Sequence, residues 1–517
     1  MGIFRNPVVP KGKAAKVKNS GYGDAGASWR KRALKSFLAN SISPREDIDW
    51  NNYTMRQRAR MLYMAAPLAT SAVKTNRTNV VGCGLRLQCK PDADILGLSP
   101  EAAAAWERRT AAEFELWARK KKSCDATGIN NFYGLQQLAL TSWLLSGDCF
   151  ALIKQSKPTL NNPYALRIHL IEADRVATPI NNGSVYPGVT DGKNPKNGNN
   201  IFDGVEVDAE GQIVAYHICN HYPKQVAMSP TEYVRVEAYG SLTDLPNILH
   251  IMDTERPEQY RGISYLAQVI EPMLQMRRYT ESELETALIQ SFFTAFILTQ
   301  ADPTENPFNE AGEPQIPHSD DEYEMGPGQI NIMKPGEDVK FGSPTHPNSG
   351  FTAFMRNLCE QCGAALEIPA DLLMKAFNAS YSASRAALME AWKAFKMRRE
   401  WFVDDFCKPI YEIWLTEAVA RGRIQAPGFF ADPMIREAWL GSEWIGPSQG
   451  QLDPTKEIQA EIMAVEQGFS TREQSTIKLN GGQWNTNIRK IAEENKKVAE
   501  ANAAAIPTEG GDVDEEE

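Results

Sequence analysis

The chain lacks the patterns that mark most enzymes. No glycine-rich loop of Walker type occurs, and residues 188–193, the nearest approach, have neither the spacing nor a hydroxyl after the lysine, which excludes a nucleotide-phosphate cradle of that kind. Histidine is scarce, with six in 517 residues; His217 and His221 are four apart but lie on a segment of strand character with no glutamate between them, so they would not share a face. Eight cysteines are scattered without a dense spacing pattern, which implies reduced thiols packed as small hydrophobes rather than a disulfide framework. Cys359 and Cys362 have the Cys-x-x-Cys spacing, but a second pair at zinc spacing is absent, so core cysteines are expected. The longest apolar stretch, residues 292–298, is far too short to cross a bilayer, and the basic N-terminus lacks the apolar region of a signal peptide. A cytosolic product without metal or cofactor, and without a membrane partner, is the expectation.

Excess positive charge is also missing. Fifty-five basic against 65 acidic side chains leave −10, so the chain as a whole would repel nucleic acid rather than coat it. The basic residues gather at the start (Arg5, Lys11, Lys13, Lys16, Lys18, Arg30, Lys31, Arg32, Lys35), and the end is acidic (Asp512, Asp514, Glu515, Glu516, Glu517). Both ends read as solvated tails. Between them, 42% hydrophobic and 23% charged residues are those of an ordinary folded chain, long enough for three or four structural units.

The pattern along the chain alternates between helical and extended stretches. Residues 49–80 read as helical with a break at Pro67, and residues 81–89 turn β-like around Gly82 and Gly84. Ser99-Pro100-Glu101 is a helix start leading to about residue 120, and another helix covers 132–145. From 149 to 253 the period becomes two, with strands over 150–154, 166–171, 205–207, 213–219, 233–238 and 248–252; 208–211 closes a hairpin, and the Asn- and Gly-rich insert 181–200 is expected as a surface loop. Helix returns at Ser264, is interrupted at Pro272 and restarts over 272–298 with a stripe of Met273, Met276, Leu284, Leu288, Phe292 and Phe296. Residues 299–347 hold eight prolines and ten acids against two lysines and cannot form a long helix. A second amphipathic helix (Phe351, Phe354, Leu358, Cys362, Leu366) ends near Pro369, a small polar connector covers 370–381, and a long helix with a kink at Pro409 covers 382–421. Asp453-Pro454 opens a helical C-terminal part in which residues 470–473 fit a capping box and 484–505 form a last helix.

Gly446-Pro447-Ser448-Gln449-Gly450 matches the nucleophile-elbow pattern, which makes a serine hydrolase or capsid protease using Ser448 one alternative reading. That motif needs a strand before the serine and a helix directly after it, and here prolines flank it. No catalytic residue is therefore assigned.

Three segments together resemble the lambda-type portal proteins of tailed bacteriophages. They are Asp49-Trp50-Asn51 through Arg60 with Ala66-Pro67-Leu68-Ala69 and Thr75-Asn76-Arg77; residues 253–266 with Arg256-Pro257 and Arg261-Gly262-Ile263; and Asp453-Pro454-Thr455-Lys456-Glu457 with Gly468-Phe469-Ser470-Thr471-Arg472. The resemblance implies a non-enzymatic virion protein of α+β fold, a homo-oligomeric ring of about twelve copies at one capsid vertex, assembled in the host cytoplasm, through which double-stranded DNA is packaged and ejected. It implies a basic arm (1–48), a mixed α/β wing (49–263), two stem segments (264–298 and 348–368) around a small α/β clip (299–347), a tunnel loop (369–381), a wing helix and return segment (382–452), a helical crown (453–505) and an acidic tail (506–517). Implied partners are the terminase large subunit, a head-completion or adaptor protein, the major capsid and scaffold proteins, and duplex DNA passing without sequence specificity. A virion adaptor outside the channel is a further alternative.

Duplex DNA carries one charge per about 1.7 Å, and a wall making many phosphate contacts would hinder sliding. Twelve copies at −10 would carry −120, which suits a conduit that does not grip its cargo. Lys375 and Arg385, beside Asn378 and Ser380, are the candidates for steering DNA at the narrowest point. The acids Asp320, Asp321, Glu322 and Glu324 are the candidates for docking the motor or adaptor.

Overall fold

The computed structural model describes residues 27–28, 31–36, 41–179, 191–222, 231–291, 295–298, 330–333, 350–377, 380–450 and 453–504. The first helices are α1 (Trp50–Ala65) and α2 (Pro67–Val80), broken where Pro67 takes the first position of α2, a place where its missing N–H costs nothing. Strand β1 (Arg86–Cys89), the short α3 (Ala93–Leu96), α4 (Pro100–Ala118), the short α5 (Lys121–Cys124) and α6 (Phe132–Ser146) follow. Ser99 caps α4 by accepting from the Ala102 amide at 3.2 Å, as its sequence position predicts.

The predicted strands all form. They are β2 (Asp148–Gln155), β3 (Leu166–Glu172), β4 (Asp191–Lys193), β5 (Asn200–Phe202), β6 (Val205–Val207), β7 (Ile213–Cys219), β8 (Tyr233–Glu237) and β9 (Ile248–Met252), of which β4 and β5 are additional. They build a three-stranded sheet in the order β3-β2-β9 and an antiparallel five-stranded sheet in the order β4-β5-β6-β7-β8. The insert expected as a surface loop over 181–200 is corrected in its second half: 191–193 and 200–202 pair as strands, and the exposed turn between them is anchored by side-chain hydrogen bonds. Its anchor is Glu206, fully buried, which accepts from Asn194, Asn197 and Asn199 at 3.0, 2.7 and 3.1 Å and faces His217 and Arg235. Asparagines that looked like loop-formers are ligands of one carboxylate.

Next come α7 (Ile270–Ser291), β10 (Ala295–Leu298), β11 (Ile330–Met333), α8 (Phe351–Ala365), α9 (Ala370–Met374), α10 (Tyr381–Phe402), α11 (Lys408–Ala420), α12 (Pro433–Leu440), β12 (Ser442–Ile445), α13 (Pro454–Glu466), α14 (Arg472–Asn480) and α15 (Trp484–Ala504). Four expectations change here. The helix predicted over 272–298 ends at Ser291, and 295–298 form a strand paired in parallel with β11, consistent with the β-favouring aromatic and branched residues there. Pro272 does not interrupt a helix; it lies in the first turn of α7, where proline is tolerated. The connector 370–381 contains α9, with Leu373 buried. The capping box sits one residue later than expected, on Thr471 and Gln474.

One continuous core runs from α1 and α2 through α4 and α6 to α10 and α11. Its centre is aromatic: Phe114 meets Trp414 edge-on at 5.1 Å, and Phe132 stacks on Phe406 at 5.8 Å. The predicted kink at Pro409 is present as a widened turn over 403–407, which absorbs the hydrogen bond that proline cannot donate. A smaller core of Phe150, Ile171, Val205, Tyr216 and Ile218 lies between the two sheets. All eight cysteines are free thiols, and seven are buried; Cys83 is the exposed one.

Candidate functional site

The residues that carry the family resemblance converge on two buried knots at the base of α7. In the first, Asn52, Arg56 and Arg60 stand one helical turn apart on α1 and so share a face. Asn52 donates to the Gly262 carbonyl at 3.0 Å, and Arg56 donates to the Ser146 carbonyl at 3.1 Å, satisfying an end carbonyl of α6. Arg60 donates to the Ser146 hydroxyl at 3.0 Å and pairs with Asp174 and Glu172. Opposite them, the fully buried Arg261 spends all five of its N–H groups. Its Nε lies 2.6 Å and Nη2 3.3 Å from Asp148, Nη1 lies 2.7 Å from Asp203 and 3.0 Å from the Val176 carbonyl, and Nη2 lies 2.9 Å from the Ala173 carbonyl. A buried guanidinium is tolerated only when its donors and charge are matched in this way.

Gly262 beside it has its own reason. Its backbone lies against Gly147, and a side chain at 262 would put Cβ 1.9 Å from the Gly147 carbonyl oxygen. Glycine is required at this crossing because two main chains touch.

The charges in the knot set one another's protonation. Burial works against ionised Asp148, but Arg261 and Arg56 outweigh it and hold its carboxyl well below the usual carboxylate range. Arg261 is raised further above its ordinary value by Asp148 and Asp203, despite burial. Asp49, nearly inaccessible, is pushed up to about 7 by burial and by the Asp203 charge, against the pull of Arg261 and Arg56. His250 stacks on Phe150 at 4.3 Å with Nε2 3.5 Å from Asp148, and burial lowers its pKa, so it stays neutral.

The second knot joins Arg398 of α10 to Asn76 of α2 at 3.1 Å and to Glu367, just past α8, at 2.5 Å, with its guanidinium 4.9 Å over the Tyr265 ring. Tyr265 in turn donates to the Leu366 carbonyl, so the start of α7 and the end of α8 are fixed to one another and to the body. From there α7 and α8 leave as an antiparallel pair: Met276 meets Cys359 at 4.0 Å, and Tyr279 meets Phe351 at 5.3 Å. Of the apolar stripe on α7, Met273 and Met276 are buried in this pair while Leu284 and Leu288 are exposed; Phe292 lies outside the described residues, and Phe296 belongs to β10.

The third segment of the resemblance caps helices. Asp453 accepts from the Lys456 amide at 3.3 Å at the start of α13, and Thr471 caps α14. Glu473, which sequence alone gave to a cap, pairs with Lys90 at 2.8 Å and accepts from Gln88, tying α14 to β1.

The steering candidates flank residues 378–379. Lys375 is exposed at the left-handed end of α9, with φ 55°. Ser380 precedes α10 and lies 3.3 Å from the Ser382 hydroxyl. Arg385 is 3.7 Å from Glu457 of α13, so its charge is partly answered by an acid of the same chain. Asn378 and the docking candidates Asp320, Asp321, Glu322 and Glu324 lie outside the described residues. Ser448 follows β12, but no helix comes directly after it, and the groove it lines with Lys396, Arg399 and Lys408 contains no histidine to activate it. His217 Nε2 donates to the Glu206 carboxylate at 2.9 Å, in line with a satisfied structural histidine.

The two knots were not assigned a role from sequence. The four-residue spacing of Asn52, Arg56 and Arg60 on a helix otherwise bound for the core was their only local signal; the acids that answer them, Asp148, Asp174 and Asp203, are about ninety or more residues away in the chain.

The family model described as "Phage portal protein, lambda family" matches residues 30–399. The portal protein of Escherichia phage N15 is 23% identical over 91% of this chain and 89% of its own length. Portal protein B of Escherichia phage lambda is 22% identical over 89% of this chain and 85% of its own. Among solved structures, a chain from the virion of a native gene transfer agent particle aligns over 83% of this chain and 93% of its own, at 14% identity and TM-score 0.40. With the family match covering most of its length, including both knots of the α7 base, the chain belongs to the lambda family of phage portal proteins.

Proposed function

We propose that this chain is the portal of a tailed-phage capsid: a ring of identical copies at one vertex through which duplex DNA is packaged and later leaves. The observation that carries the reading is the antiparallel pair α7/α8, held rigidly at its base by the Arg261 and Arg398 knots. A lever fixed in this way transmits force between the α/β body and whatever lies at its far end. The segment assignments follow: 49–263 as wing, 264–298 and 348–368 as stem with 295–298 contributing a strand, 299–347 as clip, 369–381 as tunnel loop, 382–452 as wing helix and return, and 453–505 as crown.

Ring closure needs surfaces that one copy cannot bury. Helix α15 supplies one: Ile488, Ile491 and Val498 share a face, and all three are exposed. Helix α13 supplies another with Ile458, Ile462 and Met463. Apolar faces on separate helices of one chain suit a head-to-tail contact, which closes into a ring when the rotation per copy divides a full turn. Lys375 and Arg385 remain our candidates for steering DNA, and the acids between 320 and 324 for docking the terminase or adaptor. Electron microscopy of the purified chain, viewed down the particle axis, tests the reading: a ring with an opening of duplex width, about 20 Å, is expected, and a compact particle without an axial opening would contradict it.

A further inference from the structure

A strongly basic stretch of this acidic chain lies far in sequence from the channel candidates. Arg119, Lys120, Lys121 and Lys122 are consecutive and exposed at the junction of α4 and α5. A second element is laid against them: Lys120 Nζ donates to the Asn161 carbonyl at 3.3 Å, and Asn162 Nδ2 donates to the Lys122 carbonyl at 3.5 Å. The loop thus docked is closed by a tight turn between Thr159 and Asn162 and carries Lys157, with Lys154 three residues earlier near the end of β2. Residues 154–160 are all exposed.

The nearby carboxylates are spoken for. Asp125 turns inward and accepts from the Thr127, Ile129 and Asn130 amides and the Thr127 hydroxyl. Glu115 is held by Arg119 and Tyr133, Glu113 by Tyr164 and Arg423, and Glu417 by Arg421 and the Ala165 and Leu166 amides. Among the described residues, Lys120, Lys121, Lys122, Lys154 and Lys157 make no ion pair. In a chain of net charge −10, these five exposed ammonium groups without ion pairs give the ledge of two adjoining segments a positive charge suited to a polyanion.

We infer that this ledge is a second nucleic-acid contact, one that takes the phosphate backbone of duplex DNA on the outside of the protein. Flexible lysines are point charges suited to phosphates rather than to base edges, and the exposed Asn161 adds a neutral side chain of the kind that accompanies phosphate contacts. Neither residues 119–122 nor residues 154–162 include an aromatic side chain for stacking, so the contact should be indifferent to sequence. The inference rests on the portal reading, which brings the chain next to packaged duplex, but concerns a surface apart from the channel.

The test uses the full chain and a fluorescent 20-base-pair duplex, read by anisotropy across a salt series. One variant reverses the ledge (Lys120→Glu, Lys121→Glu, Lys122→Glu, Lys157→Glu); a control reverses four exposed lysines elsewhere (Lys193→Glu, Lys196→Glu, Lys393→Glu, Lys408→Glu), with the same change in net charge. The basic N-terminal arm is common to both. The ledge variant should lose about tenfold or more in affinity at low salt, and its log–log salt slope should be shallower by about 3 to 4, while the control stays near the parent. Equal losses in both variants, an unchanged ledge variant, or ledge-dependent binding of polyglutamate in place of duplex would overturn the inference, the last assigning the surface to an acidic protein. Electron micrographs of the same samples keep the two claims apart: rings without ledge-dependent binding sink this inference alone, whereas a parent protein that forms no ring sinks the portal reading.

Discussion

The base of α7 and the C-terminal helices solve the same problem in opposite ways. At the base, charged groups are buried and Arg261 has every one of its N–H groups answered within the chain, while Asp49 keeps a proton instead. In α15 the apolar residues are the ones at the surface, and from Ile488 to the last described side chain at 502 every residue is exposed. The first region is complete in one copy. The second leaves an apolar face open among the described residues, one that a neighbouring copy would cover in the proposed ring, since an amphipathic helix gains most of its stability from burying such a face.

Substitutions can break that contrast, and the largest effect belongs to Gly262. Gly262→Val would drive a side chain into the Gly147 carbonyl, so we expect no soluble fold, checked by expression and circular dichroism. Arg261→Ala would leave the buried Asp148 and the part-buried Asp203 with Arg56 alone to answer them and should cost roughly 3–5 kcal/mol in denaturant unfolding. Arg261→Lys should recover only part of this, because an ammonium cannot span the same acceptors.

A pH series sharpens the picture of the knot. Asp49 has its folded pKa pushed up to about 7 from an ordinary 3.8, so the folded chain keeps a proton that the unfolded chain releases. Stability from this group is therefore fully present below about 4, falls as pH rises towards about 7, and is level above; the span is on the order of 2–4 kcal/mol. Asp49→Asn should flatten that fall, measured as the unfolding midpoint between pH 4.5 and 8. Glu206→Gln should cost about 1–3 kcal/mol by weakening the turn that its carboxylate gathers, with hydrogen exchange rising at 194–199. The smallest effect on the chain itself should come from Ile488→Asp with Ile491→Asp, which leaves the unfolding midpoint within about 0.5 kcal/mol while abolishing assembly.

Much of the fold was legible in the sequence, and the gaps have physical causes. Local signals served well: Pro67, Ser99 and Asp453 mark helix starts, and the alternation from 149 to 253 gives the strands. Where a distant partner decides, local pattern misleads. Residues 295–298 carry on the stripe of α7 but pair with 330–333, and the asparagines at 194, 197 and 199 look like loop residues until Glu206 is set among them. The knots were invisible for the same reason, because Arg56 and Arg261 meet their acids only in three dimensions. At the channel candidates, Arg385 is partly answered by Glu457, which no spacing rule would foretell.

The central claim is that identical copies complete one another's exposed faces around an opening. Native mass spectrometry of the purified chain, 57.5 kDa per copy, measures this most directly. The account predicts one closed oligomer of about twelve copies that the Ile488→Asp, Ile491→Asp variant reduces to folded monomers. A parent protein that stays monomeric at every concentration, or an open series of sizes without a dominant closed species, would contradict it.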